Sequence, residues 1–235
     1  TTITQREDIN RLLGELGKQM LINQHSDHQP LSQVDVENIF GKQSTPLRLA
    51  LQLEWLIPRG LVCKGTWERG YGFFDRSFRD YFTALAIADW RFFLDVYQHH
   101  YRIFEAEWQP VIRFWLGRSD IELQQKTEFI EALLDFDDRC SPENFYGWRA
   151  FQVAALVLQE VPDCPHSDTI VQKLLKCSLP NTSANPTLQR YASELLGQTY
   201  RPRVIHELLS TLKRTKNDQV YQQCCQWLCQ WGHHQ

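Results

Sequence analysis

The C-terminal segment holds the densest group of residues that could bind a metal. Its thiols and imidazoles are Cys224, Cys225, Cys229, His233 and His234. On a helix, Cys225, Cys229 and His233 would share one face, and thiolate and imidazole are ligands that zinc prefers. Only adjacent turns could hold the same ion, and the sequence has no CxxC pair to supply further ligands. These three residues are therefore candidate metal ligands, but we favour the alternative that the cysteines fill small packing positions.

A cysteine and a histidine could also act together as nucleophile and base. The chain has seven cysteines and eight histidines, so accidental pairings are numerous. No cysteine stands in a recognisable nucleophile motif, because Cys63, Cys140 and Cys164 fall in a predicted strand or beside turns. We therefore expect no catalytic residue.

Two Gly-Lys dipeptides invite comparison with a phosphate-binding loop. Such a loop needs Gly-x-x-x-x-Gly-Lys-Ser/Thr, so that backbone amides and the lysine can surround the phosphates. Gly17-Lys18 and Gly41-Lys42 lack both the earlier glycine and the following hydroxyl residue. We expect this chain to bind no nucleotide and no other cofactor.

Composition narrows the class of protein. The chain is 43% hydrophobic with a net charge of -3, which favours a globular protein without a general attraction to nucleic acid or anionic lipid. It has no apolar run of about 18 residues, and its odd number of cysteines favours reduced thiols, so we expect a cytoplasmic protein without a membrane partner. Since the chain opens on Thr1 and its single methionine is Met20, we expect a piece of a longer protein.

The N-terminal third has the element order of a winged helix. Helix-start signals stand at Thr4 with Glu7, Ser32 with Asp35, and Thr45 with Pro46. Apolar spacing predicts a first helix over residues 5–22, and the third helix is expected to end at 58–60. Short strands are predicted at 61–64 and 71–74, around a loop at 65–70.

From Ser77 onward the sequence shows helical patterns and no strand signal. Residues 170–175 align with 204–209, and 188–197 align with 220–229, which indicates a repeated helix pair. One small position is shared by Ala154, Ala192 and Cys224, and one large position by Leu158, Leu196 and Leu228. Helix pairs of this kind stack because no single pair can bury its apolar face, so we predict HEAT-like repeats.

The predicted fold is therefore mainly all-α. It consists of a winged-helix-like domain with a small β-hairpin over 1–84, a helical connecting region over 85–140, and an α-helical superhelix of HEAT-like repeats over 141–235.

The stretch 71–84 resembles the end of the winged-helix domain in NACHT-family signalling NTPases. There an aromatic residue, Phe-x-His and Ser/Thr-Phe-Gln-Glu-Tyr/Phe-x-x-Ala join the second wing strand to the next helix. The matching residues are Tyr71, Phe73, Ser77, Phe78, Tyr81 and Ala84, while Arg79 and Asp80 stand for Gln and Glu, and Asp75 replaces the histidine. Residues 108–117 are similar to the family's following helix.

The resemblance implies a non-catalytic C-terminal module that regulates an NTPase domain preceding Thr1. That domain would bind ATP or ADP with Mg²⁺, and the implied partners are this domain in cis and a protein ligand in trans. In the family the histidine at position 75 reaches the phosphates of ADP. An ionised aspartate would repel them, so we expect Asp75 to pair with a basic group or to cap the helix that begins near Ser77.

Two surfaces bear on partners. The third helix, 45–57, offers only Arg48 among apolar residues, so we do not expect the winged helix to bind DNA. Trp227 and Trp231 lie one helical turn apart and are candidates for a partner surface, with buried capping residues as the alternative. A free-standing HEAT-like adaptor, or a winged-helix regulator that binds nucleic acid, remain the alternative functions.

Overall fold

The chain forms two compact units, residues 1–118 and 119–235, in a computed structural model. Within the described residues it is mainly helical with a small antiparallel sheet, which confirms the predicted fold class. The predicted boundaries after residues 84 and 140 stay predictions. The structure describes residues 3–23, 30–95, 100–137, 139, 144–180 and 186–232.

The first unit begins with the element order and strand order of a winged helix. Its elements are α1 (Ile3–Ile22), β1 (Leu31–Ser32), α2 (Gln33–Phe40), α3 (Thr45–Gln52), β2 (Leu56–Lys64) and β3 (Thr66–Phe73). The strands pair antiparallel in the order β1-β3-β2. The β2–β3 hairpin is therefore the wing, and β1 adds a short strand between the first two helices.

Side-chain caps fix where α2 and α3 begin. Ser32 and Asp35 form the predicted capping box, in which each side chain accepts from the backbone N–H of the other residue. Ser44 caps α3 by accepting a hydrogen bond from the N–H of Leu47 at 3.2 Å, one residue before the predicted start.

The third helix is shorter than the apolar pattern predicts. It ends at Gln52 instead of at 58–60, and β2 already begins at Leu56. Pro58 lies within β2, where the register shifts between Pro58 and Leu61. An edge strand with a bulge accommodates a proline because its missing N–H breaks no central ladder.

The wing is longer than predicted. The expected loop at 65–70 is almost entirely strand, because β3 begins at Thr66 and pairs with Lys64 of β2. Gly65 makes the turn with φ +83°, a left-handed conformation that glycine adopts without a steric penalty. One glycine therefore replaces a six-residue loop.

The helix after the wing, α4 (Arg76–Leu85), packs tightly against α1. A Cβ atom on Gly14 would lie 2.6 Å from the carbonyl oxygen of Phe82. A Cβ atom on Gly17 would lie 3.0 Å from the carbonyl oxygen of Arg79, and closer still to Oγ1 of Thr83. Glycines on α1 therefore let the two helix backbones approach each other directly.

Two short strands, β4 (Leu94–Asp95) and β5 (His100–Tyr101), follow α4 and correct the prediction that no strand follows Ser77. Their two-residue length leaves no alternation to detect in a sequence. The next helix, α5 (Gln109–Gly117), packs against α4. Phe93, Trp108 and Trp115 are almost fully buried in this region.

Arg118 holds the C-terminal end of α4. Its Nη1 donates to the carbonyl oxygens of Ala84 at 2.7 Å and Ile87 at 2.8 Å. Because the last carbonyls of a helix have no partner within the helix, a guanidinium there satisfies them and complements the helix dipole.

The second unit is a stack of helix pairs. Its helices are α6 (Leu123–Leu134), α7 (Phe145–Val157), α8 (Ser167–Ser178), α9 (Pro186–Gln198), α10 (Arg201–Arg214) and α11 (Asp218–Gly232). Consecutive helices pair as α6–α7, α8–α9 and α10–α11, while α8 contacts α10 and α7 contacts α9. Each pair therefore packs on the next one, as in a helical-repeat protein. No helix in the described ranges is long and apolar enough to cross a membrane.

Polar contacts link successive pairs at equal spacing. Glu131 contacts His166 at 2.8 Å, and Asp168 contacts Arg203 at 2.9 Å, each across 35 positions. The side chain of Gln172 lies 3.4 Å from that of Glu207, again 35 positions away. The small residues of the predicted repeat, Ala154, Ala192 and Cys224, are all fully buried.

Candidate functional site

The NACHT-like motif lies at the junction between β3 and α4. Tyr71 and Phe73 of β3 are buried in the core of the winged helix. Asp75 is the N-cap of α4, because its Oδ1 accepts a hydrogen bond from the backbone N–H of Ser77 at 2.8 Å. This confirms the predicted capping role. The hydrogen bonds from the hydroxyl and the backbone of Ser77 lower the pKa of Asp75.

Two charged residues of the motif, Arg79 and Asp80, form a buried ion pair. Arg79 donates from Nη2 to Oδ1 of Asp80 at 2.8 Å, and both side chains are almost fully buried. Nε of Arg76 lies 3.6 Å from the other Asp80 oxygen. Removing one partner of such a buried pair strongly destabilises the fold, because the other charge is left buried without compensation. The pair therefore belongs to the buried face of α4.

An open cleft of about 320 Å³ lies on the first unit, beside the exposed face of the motif. Ser77, Phe78 and Tyr81 of α4 contribute motif side chains to its wall, while Ala84 is buried away from solvent. The remaining lining residues are Arg6 and Asn10 of α1, Trp55, Phe82 of α4, and Phe114 of α5.

Exposed aromatic rings stand at the wall of the cleft and beside it. Tyr81 is 43% exposed and Phe114 is 39% exposed, and their rings meet edge to face with centroids 5.8 Å apart. Phe74, also exposed, lies 6.3 Å from the ring of Phe78. Aromatic side chains with both a packed and an exposed face are typical anchors for protein partners.

The formal charge of the described residues that line the cleft comes from one side chain. Among the described residues that line it, Arg6 alone carries a formal charge at neutral pH. The cleft combines this guanidinium with aromatic walls, which suits an apolar segment that carries an acidic or carbonyl group.

Sequence reasoning missed half of this cleft. Arg6 belongs to a charged stretch that reads as a solvated helix face, and Asn10 carries no motif signal. Phe114 lies in the family-like stretch 108–117, but its spacing alone does not show that it meets Tyr81. Only the packing of α1 and α5 against α4 brings these residues to the motif.

The candidate metal ligands lie on α11 or beyond the described residues. Cys225 is partly buried and Cys229 is exposed, whereas His233 lies outside the described residues. Within the described residues, no group of three or more His, Cys, Asp and Glu side chains is placed to hold a metal ion. Cys224 is fully buried at the small repeat position, and burial raises its pKa to about 11. This is the behaviour of a packing cysteine.

The two tryptophans proposed as a partner surface take part in packing. Trp227 is buried, and its ring stacks on that of Trp231 with centroids 5.8 Å apart. A Cβ atom on Gly197 of α9 would lie 3.3 Å from Trp231, so this indole covers the glycine. The structure therefore favours the buried alternative for Trp227, whereas Trp231 is partly exposed.

Comparisons of the chain with protein-family models, with curated proteins and with solved structures gave no match.

Proposed function

We propose that the chain is a non-catalytic sensing and interaction module of a NACHT-type signalling NTPase in the cytoplasm. In this proposal the first unit docks on the NTPase domain in cis and restrains it. The stack of helix pairs in the second unit binds a protein ligand in trans. ATP or ADP and Mg²⁺ belong to the NTPase domain and not to this chain.

The observation that carries the proposal is the position of the motif residues on the aromatic cleft. Ser77, Phe78 and Tyr81 are the matching residues that line it, and Tyr81 and Phe114 are exposed at its wall. An isolated domain gains nothing by exposing two large aromatic rings in contact, whereas an interface uses such rings as anchors. This supports docking of a protein surface at the cleft.

Asp75 supports a restraint that is independent of direct phosphate contact. Its carboxylate caps α4 and its pKa is lowered, so it is ionised at neutral pH. An ionised carboxylate only accepts hydrogen bonds and repels a phosphate. Contact between protein surfaces would then hold the restrained state in place of a histidine–phosphate hydrogen bond.

The polar face of α3 counts against the nucleic-acid alternative. Arg48 is the one basic residue of this helix, and its guanidinium lies 3.3 Å from Oγ1 of Thr45. A recognition helix needs several side chains that reach base edges and phosphates. Salt-sensitive binding of duplex DNA by this chain in a mobility-shift assay would reverse this ranking.

The coding sequence upstream of Thr1 provides the first test, since the proposal requires a Gly-x-x-x-x-Gly-Lys-Ser/Thr loop there. Without such a loop, a free-standing HEAT-like adaptor becomes the better interpretation.

If the loop is present, an ATPase assay tests docking at the cleft. The full-length protein carrying both Tyr81→Ser and Phe114→Ser should hydrolyse ATP faster than wild type in the absence of activator. Trp67→Ser is the matched control, because Trp67 is an exposed aromatic residue of the wing that does not line the cleft. Equal rates in all three proteins would contradict docking at the cleft.

A further inference from the structure

One side of α8 faces α10 of the next helix pair. Asp168 and Gln172 on this side contact Arg203 and Glu207 of α10. Val171 and Leu175 lie on the same side of α8 and are only 1% and 4% exposed. The next helix pair therefore covers an apolar stripe and adds polar contacts beside it.

The equivalent side of α10 is apolar and stays partly exposed among the described residues. The repeat alignment places Ile205 and Leu209 at the positions of Val171 and Leu175. Leu209 is 46% exposed, and Ile205 and Leu212 are partly exposed. Because these residues are four and three positions apart, they form one stripe along the helix. We call Ile205, Leu209 and Leu212 the edge stripe.

The second helix of this last pair shows the same change. Leu228 of α11 aligns with Leu196 of α9 at the large repeat position. Leu196 is buried, whereas Leu228 is partly exposed. Both helices of the last pair thus keep an apolar residue at a position that the preceding pair buries.

The charges beside the edge stripe differ from those on α8. Pro202 stands where α8 has Asp168, and Lys213 aligns with the buried Leu179 when the same offset is continued. The basic residues Arg201 and Lys213 are both exposed on α10. The edge stripe therefore has basic residues beside it, whereas α8 presents the carboxylate of Asp168 to Arg203 of α10.

We propose that the edge stripe binds an amphipathic helix of another protein, whose apolar face is bordered by Asp and Glu residues. Helix α10 packing on α8 is the geometric precedent for such a helix. Charge complementarity selects an acidic helix, and it disfavours a second copy of α10 that would bring the same cations to the interface. This inference rests on the proposed role of the second unit in binding a protein ligand, and it names the chemistry of that ligand.

A pair of synthetic peptides tests the proposal with the 235-residue chain. Both are fluorescently labelled helices with leucines at heptad a and d positions, one with glutamates beside the leucines and one with lysines. Fluorescence anisotropy should show binding of the glutamate peptide that weakens as salt increases. Leu209→Asp should weaken this binding roughly tenfold or more, as removal of a central interface anchor does. Leu123→Asp, at an exposed leucine of α6, should bind like wild type.

Charge reversal separates recognition from loss of folding. Lys213→Glu should reduce binding of the glutamate peptide and increase binding of the lysine peptide, a change of preference that partial unfolding does not produce. Equal binding of both peptides by wild type, or no effect of Leu209→Asp, would overturn the proposal. A dimer in sedimentation that Leu209→Asp dissociates would also overturn it, since a second copy would then cover the stripe. None of these variants changes the cleft on the first unit, so the peptide assay and the ATPase assay test the two proposals separately.

Discussion

Asp75 and Ser77 form the local contact that fixes the start of α4. The Asp75 carboxylate accepts from the Ser77 backbone N–H at 2.8 Å and also from the Ser77 hydroxyl. These bonds stabilise the ionised form and lower the pKa of Asp75. The residue that departs from the NACHT-like pattern is thus occupied in a helix cap.

The cap predicts an order of stability among variants. Asp75→Ala should lower the free energy of unfolding, because the N–H of Ser77 loses its side-chain partner. Asp75→Asn should keep most of the stability, since an amide oxygen can accept the same bond. Urea denaturation at neutral pH measures both. Indistinguishable midpoints for Ala and wild type would show that the cap contributes nothing to folding.

The lowered pKa predicts how this contribution depends on pH. A carboxyl group with a folded pKa below its unfolded value of about 3.9 stabilises the fold fully above that value. The contribution is lost as the pH falls through the lower, folded pKa of Asp75. The stability difference between wild type and Asp75→Asn should therefore be constant near neutral pH and shrink below roughly pH 4. A difference that grows on acidification would contradict the assigned hydrogen bonds.

The close approach of α1 and α4 predicts that a usually stabilising substitution will destabilise. Gly→Ala within a helix normally improves helix propensity by about 1 kcal/mol. At Gly17 the new methyl group would collide with Thr83 Oγ1 and press on the carbonyl oxygen of Arg79. Gly17→Ala should therefore cost about 1–3 kcal/mol of unfolding free energy, as other overpacked sites do.

A second substitution tests whether this collision is the cause. Thr83→Ala removes the nearest atom, so the double variant should recover part of the stability lost in Gly17→Ala. Thermal unfolding of the four proteins of this cycle gives the coupling energy. If the two changes in unfolding free energy simply add, the collision with Thr83 is not what destabilises Gly17→Ala.

The cysteines should differ sharply in reactivity. Cys63 and Cys229 are exposed, whereas Cys224 is fully buried with a pKa of about 11. Because the thiolate is the reactive form, iodoacetamide should modify the exposed pair first and Cys224 last, as followed by mass spectrometry. Early modification of Cys224 in the folded chain would mean that α11 opens readily.

The raised pKa of Cys224 also predicts a loss of stability at alkaline pH. An unfolded thiol ionises near pH 8.5, whereas the buried thiol resists ionisation, so stability is present below that pH and is lost as the pH rises toward about 11. Cys224→Ala should fold well, since Ala192 occupies the same repeat position, and should show a smaller alkaline loss. An identical alkaline slope in the variant would contradict this assignment.

Truncation tests the mutual support of the helix pairs. A chain that ends at Thr199 lacks α10 and α11, which exposes Val171 and Leu175 of α8 to water. Burial of apolar surface drives the stacking, so the shorter chain should be less soluble and should melt less cooperatively. Light scattering and calorimetry measure these two effects. A soluble chain with a sharp transition would show that the last pair is an independent unit.

Local signals in the sequence were sufficient where a structure depends on neighbouring residues. The capping box of Ser32 and Asp35, the cap at Asp75 and the length of α1 all follow from short-range hydrogen bonds and helical periodicity. The predicted end of α3 was wrong because the apolar run from Leu47 to Leu56 suits a helix as well as a buried strand.

The candidate cleft could be predicted only in part for a related reason. Phe78 and Tyr81 belong to a recognisable motif, but Arg6 and Phe114 reach them only through tertiary packing. The edge stripe is similar, because the alignment predicts equivalent residues without showing which of them a neighbour covers. Leu175 and Leu209 have the same side chain and the same repeat position, yet Leu175 is 4% exposed and Leu209 is 46% exposed.

Arg118 gives α4 a mechanical connection to the end of the first unit. Its guanidinium is bonded to carbonyl oxygens at Ala84 and Ile87, and it is also the residue at which the first unit ends. The two hydrogen bonds join the C-terminal end of α4 to the residue that directly follows α5. Arg118 therefore acts as a clasp within the first unit, which closes the chain from α4 through α5 back onto the end of α4.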